Sequence, residues 1–324
     1  MKRSEFLALA AAAPLALVAG CGSTAAQQSA AKHKVAIVAK STSTEFWKSV
    51  FAGAETAATE YNLTLTIDGP ETEEDYETQN RMVAKAVEDG AEVIVFSAID
   101  FEANVAAIEA AVAAGVRVVT IDSGVDSDKV STYIGTDNYA AGCMAAQAAL
   151  SCGYEQMNIG LVNYDVNSAN GQERERGVRE TLAERAKVSI VAGINTLAQA
   201  AYAQADTGSL LASYPEINVV IAFNEPTAVG AARALSERGL GADTWLVGFD
   251  SNVETIDKLQ DGVVDALIVQ NPYAMGYLGV ESAYRLLSGQ GGALEATVDT
   301  ATTIVDRDNM FTIDSQKALF AFEE

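Results

Sequence analysis

The sequence predicts an α/β protein built from two doubly wound, parallel-sheet lobes in tandem. From Lys34 onward, short apolar runs alternate with stretches that carry apolar residues at helical spacing, which is the pattern of parallel strands joined by helices. This alternation pauses after Gly135 and restarts at Asn158. One apolar run in each half also ends in Asp-Ser, at Asp122 and at Asp250, which favours two related halves.

The first half contains four runs that are rich in Val, Ile and Leu and lack strict alternation, as strands buried on both faces do. They are Val35–Ala39, Leu63–Ile67, Val93–Ser97 and Val116–Ile121, and Val130–Gly135 is a further short strand. The predicted helices between them are Glu45–Tyr61, Tyr76–Asp89 and Glu102–Ala114. Gly90 and Gly115 follow the last two helices, where a left-handed C-cap is favoured.

The second half repeats this pattern. The predicted strands are Asn158–Val162, Val188–Ala192, Val219–Phe223, Trp245–Phe249 and Ala266–Val269, with a last one at Thr302–Val305. The predicted helices are Glu173–Glu184, Tyr202–Ser213, Thr227–Arg238, Val253–Asp261 and Tyr273–Leu287. Because ligands bind beyond the carboxyl ends of strands in open α/β sheets, two facing sheets predict one shared cleft.

The N-terminus predicts export and lipid anchoring. Lys2 and Arg3 precede an apolar or small-residue stretch, Phe6–Gly20, which is typical of a secretory signal peptide covering residues 1–20. Small residues end directly at Cys21, as in a bacterial lipobox whose cysteine is acylated; the alternative is an ordinary signal with a chance cysteine. Residues 21–33 would then be the lipidated cysteine and a flexible tether. We therefore expect an extracytoplasmic protein held at the membrane by its lipid.

Charge and residue types exclude several classes of protein. The formal net charge of −23 argues against nucleic acid, because phosphate binding needs clustered Lys and Arg. Cys143 and Cys152 fall on and just after one predicted helix, about 13 Å apart, so two buried free thiols are expected rather than a disulfide. The single histidine, His33, lies beside the tether, so neither a zinc site nor a His-dependent catalytic triad is expected, and no cofactor.

The candidate ligand-binding residues follow strands or open the next helix. They are Lys40, Glu45, Phe46, Trp47, Asp122, Arg174, Asn224, Asp250 and Gln270. Carboxylate, amide and guanidinium groups each bond two neighbouring hydroxyls, and the C–H faces of a sugar lie against aromatic rings. The set therefore predicts a site for a neutral polyhydroxylated ligand.

Each candidate also has a structural interpretation. Asp122, Asp250 and Asn224 are at positions where turn or cap residues occur. One of Phe46 and Trp47 is expected in the core. Arg174, which opens its predicted helix, has charged neighbours that also fit a solvated helix face, and Lys40 and Glu45 could be surface charges. Their shared position favours the binding site.

From Lys34 to about Val305 the chain resembles the ribose/galactose-type periplasmic sugar-binding proteins, which have the type I "Venus flytrap" fold. The motifs that carry the resemblance are Val35-Ala36-Ile37-Val38 with Glu45-Phe46-Trp47, Thr120-Ile121-Asp122, Arg174-Glu175-Arg176-Gly177, Ala222-Phe223-Asn224-Glu225, Val247-Gly248-Phe249-Asp250, and Ile268-Val269-Gln270-Asn271-Pro272. The resemblance implies that Phe46 and Trp47 stack on the ligand and that the polar candidates bond it.

The resemblance also implies discontinuous lobes joined by a three-segment hinge. The crossovers would lie near Thr136–Asp137, Val269–Gln270 and Val298–Thr300, giving an N-terminal lobe of 34–136 plus 270–299 and a C-terminal lobe of 137–269 plus 300–324. Two departures put ribose itself in doubt: Ser123 stands where the ribose-type pattern has Arg, and the third stacking aromatic is replaced near Leu197–Ala198. The presence of Lys40 is instead a point of resemblance to the arabinose-type proteins.

The expected function is capture of a monosaccharide or sugar-like polyol for an ABC permease and ATPase, by a monomer. Alternatives are a receptor that presents its ligand to a chemosensor or sensor kinase, and a binder of a cyclitol or sugar-like signal. A sugar-responsive repressor of this fold would need a helix-turn-helix before the first strand, where the sequence has a signal and Cys21. An enzyme is not expected, because no Gly-rich nucleotide loop or nucleophile–His pair is present.

Overall fold

The computed structural model describes residues 32–320. The predicted signal peptide, Cys21 and residues 21–31 of the predicted tether lie outside the described residues. Among the residues described, no helix is both long and apolar enough to cross a bilayer.

Alternating strands and helices run through the whole described chain. In the first half they are β1 (Lys34–Val38), α1 (Glu45–Glu60), β2 (Thr64–Asp68), α2 (Tyr76–Glu88), β3 (Val93–Phe96), α3 (Val105–Ala113), β4 (Arg117–Ile121) and β5 (Tyr133–Gly135). They continue with α4 (Asn138–Leu150), β6 (Met157–Asn163), α5 (Ala169–Leu182), β7 (Val188–Asn195), α6 (Ala200–Ser213), β8 (Val219–Ala222), α7 (Glu225–Arg238), β9 (Trp245–Phe249), α8 (Val253–Asp261) and β10 (Ala266–Val269). The last are α9 (Pro272–Leu287), β11 (Thr297–Asp299), β12 (Thr303–Asp306) and α10 (Ile313–Leu319).

The strands form two six-stranded sheets, one in each lobe. The first sheet has the order β11-β5-β4-β3-β1-β2 and is parallel throughout. The second has the order β12-β10-β9-β8-β6-β7, and only the edge strand β12 is antiparallel. The central strands are fully buried, as helices on both faces require. The predicted fold class, two doubly wound α/β lobes, is confirmed.

The chain passes between the two sheets three times. It leaves the first sheet after β5, returns to it after β10 with α9 and β11, and leaves it again to form β12. Helix α9 packs against α1, so the first lobe is built from residues that come before the second lobe in the chain and residues that come after its strand β10.

Close helix packing fixes the position of α5. A Cβ on Gly142 of α4 would lie 2.1 Å from the backbone oxygen of Arg174, and a Cβ on Gly177 of α5 would lie 2.2 Å from that of Tyr139. Only glycine allows this approach, and larger residues would push α5 away from α4. The two glycines therefore fix the position of α5 and, with it, the position of Arg174.

Two helix starts, one strand and the burial of two cysteines differ from the sequence predictions. Helix α5 begins at Ala169 rather than Glu173, so Arg174 lies in its second turn and not at its start. Helix α3 begins later than predicted, because the Asp100 carboxylate accepts backbone N–H groups of Glu102 and Ala103 and holds a turn there. Strand β11 has no sequence signal of its own. Cys143 and Cys152 are free, as predicted, but half-buried.

Candidate functional site

A cleft lies between the carboxyl ends of the two sets of strands. It is lined by Lys40, Thr44, Phe46, Glu73, Asp122, Tyr164, Asn170, Arg174, Asn224, Glu225, Pro226, Asp250 and Gln270. Seven of the nine predicted ligand-binding residues are thereby brought together. Glu45 and Trp47 are the two that do not line it.

The two Asp-Ser pairs occupy equivalent places in the two lobes. Asp122 follows β4 and Asp250 follows β9, and both have left-handed backbone conformations, with φ of 57° and 64°. Asp and Asn tolerate this conformation better than other side chains with a Cβ. Both carboxylates are almost fully buried at the cleft, with exposures of 4% and 6%.

Asp122 is held from both lobes. Its Oδ2 accepts a hydrogen bond from the Ser97 hydroxyl at 3.1 Å, within the first lobe. The Asn170 amide of α5, in the second lobe, donates to Oδ1 at 3.2 Å. Burial raises the pKa of Asp122, although the nearby positive charges of Lys40 and Arg174 oppose this.

Arg174 is a cleft residue and not part of a solvated helix face, so the solvated-face interpretation is wrong. Its side chain is fully buried, and its guanidinium lies 4.6 Å from the centre of the Phe249 ring. The Nε donates to Asn138, while Nη1 donates to the Phe223 carbonyl oxygen at 2.7 Å and Nη2 to Gln270 at 2.8 Å. Burial opposes its charge, but Tyr164, Asp250 and Asp122 raise its pKa.

Gln270, which follows β10 at the second crossover, forms hydrogen bonds with Thr136, Arg174 and Asp250. Its Oε1 accepts from Arg174 and from the hydroxyl of Thr136, on the first crossover, at 2.7 Å. Its Nε2 donates to Asp250 Oδ1 at 2.6 Å. These bonds fix the amide orientation, because one end has only donors as partners and the other an acceptor.

Lys40 is buried and paired, so its interpretation as a surface charge is wrong. Its Nζ lies 3.1 Å from Glu73 Oε2, in the loop after β2, and donates to the Ser168 hydroxyl of the opposite lobe. Burial alone would lower the pKa of Lys40, but Glu73, Tyr164 and Asp122 raise it overall. The ammonium is therefore charged in the cleft.

The two predicted aromatic residues separate into different environments. Phe46 lines the cleft, while Trp47 is buried in the core of the first lobe, packed edge-on against Phe46 at 5.3 Å. The Trp47 indole N–H donates to Glu73 at 2.8 Å, so it orients a cleft carboxylate without facing the cleft. Trp47 does not occupy a stacking position.

Glu45 is exposed and forms an ion pair with Lys48 on the same helix. It lies beside a neighbouring cavity instead of the cleft. Because a helix turns 100° per residue, Glu45 and Phe46 point in different directions.

Asn224 serves as a helix cap and also borders the cleft. Its Oδ1 accepts the backbone N–H of Thr227, forming a capping box at the start of α7. The cap interpretation is confirmed, and it places the Asn224 side chain at the cleft wall.

The sequence prediction does not include six of the residues that line the cleft: Thr44, Glu73, Tyr164, Asn170, Glu225 and Pro226. Tyr164 follows β6 directly and Glu225 follows Asn224, so the rule that ligand residues come after strands would have found both. Glu73 lies in the middle of a loop and Asn170 inside a helix. Neither has a local signal.

Burial strongly raises the pKa of Asp250. Removal from water raises it to about 7, and the charge of Arg174 and the bond from Gln270 lower it only partly. The protonated form is therefore favoured in the folded, ligand-free protein relative to the unfolded chain.

This shift predicts a pH-dependent stability. The pKa of Asp250 is near its ordinary value of 3.8 in the unfolded chain but about 7 in the folded protein, so its contribution to the free energy of unfolding falls as the pH rises between these values. Replacing it with Asn, which suits the left-handed backbone and cannot ionise, should remove this decline. Thermal unfolding of wild type and Asp250→Asn from pH 4 to pH 8 measures the difference. Parallel curves across that range would contradict the raised pKa.

Among residues 32–320, no group of three or more His, Cys, Asp or Glu side chains is placed to hold a metal ion. The cleft instead offers hydrogen-bond acceptors, amides, two cations and two aromatic rings. Two lobes that meet around such a cleft, joined by three crossovers, define a two-lobed solute-binding protein.

The chain belongs to the periplasmic binding protein domain family, whose model matches residues 35–291. It is 26% identical to the D-ribose/D-allose-binding protein of Pseudomonas aeruginosa over 84% of this chain and 89% of that protein. It is 27% identical to a ribose import binding protein of Bacillus subtilis, over 76% and 78% of the two chains. As a member of this family, the chain is a binding protein and not an enzyme.

Solved structures show the same fold. A carbohydrate transporter solute-binding protein from Agrobacterium radiobacter, in complex with D-arabinose, matches with a TM-score of 0.86 and 28% identity, covering 90% of this chain and 100% of the other. An ABC transporter solute-binding protein from Agrobacterium vitis with bound D-fucose matches with a TM-score of 0.85 and 29% identity, covering 88% and 99%. The predicted resemblance to type I periplasmic binding proteins is confirmed.

Proposed function

We propose that this protein captures a monosaccharide or a sugar-like polyol in the cleft between its lobes. The observation that carries the proposal is the pair of buried carboxylates, Asp122 and Asp250, which line one cleft from opposite lobes with Arg174 beside them. Each carboxylate can accept hydrogen bonds from two hydroxyl groups of a neutral ligand. An amino acid or a nucleotide would need groups of opposite charge placed to match its own charges.

The relatives support a neutral sugar. Their names and solved complexes give D-ribose or D-allose, D-arabinose and D-fucose as ligands. The cleft contains the same chemical types of group that such ligands require, and Phe46 offers an apolar face for sugar C–H groups.

Capture proceeds by closure of the lobes. A sugar that first contacts Lys40, Phe46 and Asp122 on the first lobe gains bonds from Arg174 and Asp250 when the second lobe closes. Those added contacts exist only in the closed form, so the sugar shifts the population towards closure. The cleft accordingly needs groups from both lobes.

The proposed role includes delivery of the sugar to an ABC permease and ATPase by a lipid-anchored monomer outside the cytoplasmic membrane. The family is periplasmic, which supports the extracytoplasmic location. Anchoring rests on Cys21, after the stretch Phe6–Gly20. Labelled fatty acid should enter the wild-type protein and not Cys21→Ser, and a wild type without label would contradict the anchor.

A panel of ligands tests the sugar proposal. D-ribose, D-allose, D-arabinose and D-fucose should include at least one sugar that raises the melting temperature by several degrees. Ligand at about 100 times its dissociation constant adds about 2.7 kcal/mol to the free energy of unfolding. A shift with myo-inositol alone would move the assignment to a cyclitol. Shifts confined to amino acids or nucleotides would remove the sugar from the proposal.

A further inference from the structure

Two glutamates, one in each lobe, reach across the cleft to the start of a helix in the other lobe. Glu225, the first residue of α7 in the second lobe, accepts the backbone N–H of Phe46 at 2.9 Å, at the start of α1. Glu74, in the loop before α2 in the first lobe, accepts the backbone N–H of Ala198 at 2.7 Å, just before α6. The two contacts are reciprocal.

Both glutamates accept hydrogen bonds from N–H groups at or just before the start of a helix, where that helix itself offers no acceptor. The first N–H groups of a helix lack intrahelical partners, and the side chain of Thr44 satisfies only that of Trp47. Glu225 supplies the acceptor for Phe46 and places a negative charge at the positive end of α1. Glu74 also accepts the side-chain amide of Gln199, the N-cap residue of α6, at 3.3 Å.

The Glu225 carboxylate is already engaged on both oxygens. Oε2 bonds Phe46, and Oε1 accepts from the Asn252 amide at 2.9 Å. The backbone N–H of Glu225 donates to Asp250 Oδ2 at 2.9 Å, so Asp250 positions the residue that crosses to the other lobe. Burial raises the pKa of Glu225, and its hydrogen bonds with Asn252 and with the start of α1 oppose the rise.

We propose that Glu225 and Glu74 are a pair of interlobe latches: each holds the lobes closed by accepting a backbone N–H at the start of a helix in the opposite lobe. They are positioning residues: they set the population of the closed form, and therefore the affinity for every sugar by the same factor. Only this last consequence rests on the proposed function.

Hydrogen exchange of the ligand-free protein tests the latches directly. The Phe46 amide lies in the first turn of α1 and the Ala198 amide precedes the N-cap of α6, so neither helix supplies an acceptor for it and protection at either site reports closure. Glu225→Ala should speed exchange at Phe46 about tenfold, which corresponds to about 1.4 kcal/mol, with Glu225→Gln in between. Because one opening exposes both sites, exchange should also rise at Ala198, and Glu74→Ala should have the converse effect. Glu77→Ala, an exposed glutamate on α2, is the control.

Two results would overturn the proposal. Faster exchange confined to the mutated contact would make each glutamate a local helix cap, and unchanged exchange would mean that no latch exists. Titration with D-ribose and D-arabinose adds a second arm, in which Glu225→Ala should weaken every sugar that binds by one common factor. A changed preference between sugars would make Glu225 a ligand contact. If no sugar binds the wild type, the proposed function fails while the exchange result still decides the latches.

Discussion

Replacing Arg174 with alanine is expected to weaken sugar binding by about tenfold to a hundredfold. A hydrogen bond to a charged group contributes roughly 1.5–3 kcal/mol, and each 1.4 kcal/mol is about tenfold in the dissociation constant. The substitution also leaves the buried Phe223 carbonyl oxygen and Gln270 Oε1 without this donor, and it removes the positive charge that lowers the pKa of Asp250. Titration calorimetry with the sugar that gives the largest thermal shift measures the loss.

The control for Arg174 lies two residues along the same helix. Arg176 is half-exposed and pairs with Glu173 and Glu180 on the helix surface, and such pairs contribute about 0–1 kcal/mol. Arg176→Ala should therefore bind sugar as the wild type does. Arg174→Met, which keeps the packing over Phe249 and removes the charge, separates lost binding from lost folding. Wild-type affinity in both Arg174 variants would place this arginine outside the binding contacts.

Replacing Asp122 with asparagine is expected to cost a comparable amount from the opposite lobe. Asn tolerates the left-handed backbone at φ of 57°, so the change removes the charge without added strain. Asp122→Ala should lower the melting temperature further, because alanine is strained in that conformation. The same calorimetric titration applies, with exposed Asp128→Asn as the control. If Asp122→Asn kept full affinity, the first lobe would contribute no carboxylate to the sugar.

Most of the fold was predictable because its strands are buried on both faces. Runs such as Val93–Ser97 and Val219–Phe223 carry apolar residues on both faces, and the structure has β3 and β8 there. The antiparallel pairing of β12 and the existence of β11 depend on the chain returning between lobes, which no local pattern encodes. The start of α5 was missed because Asn170 and Gly171 are polar or flexible residues that lie buried for tertiary reasons.

The candidate site was predictable where it depends on strand ends. Asp122 and Asp250 follow strands, and the Asp-Ser repeat corresponds to a shared left-handed backbone at equivalent places in the two lobes. The sequence does not show which of Phe46 and Trp47 lines the cleft. The two residues are adjacent in one helix, and the packing of the lobe decides which of them faces the core. The sequence does not predict Glu73, because its place at the cleft depends on its contacts with Lys40 and Trp47, which are distant in the chain.

The most direct test is a crystal structure with the sugar that gives the largest thermal shift. The account predicts one sugar ring in the cleft, within hydrogen-bond distance of Asp122 on one lobe and of Arg174 or Asp250 on the other, with Phe46 against a C–H face. Sugar density that contacts one lobe only, or that lies in the neighbouring cavity beside Glu45 and Val253, would contradict it.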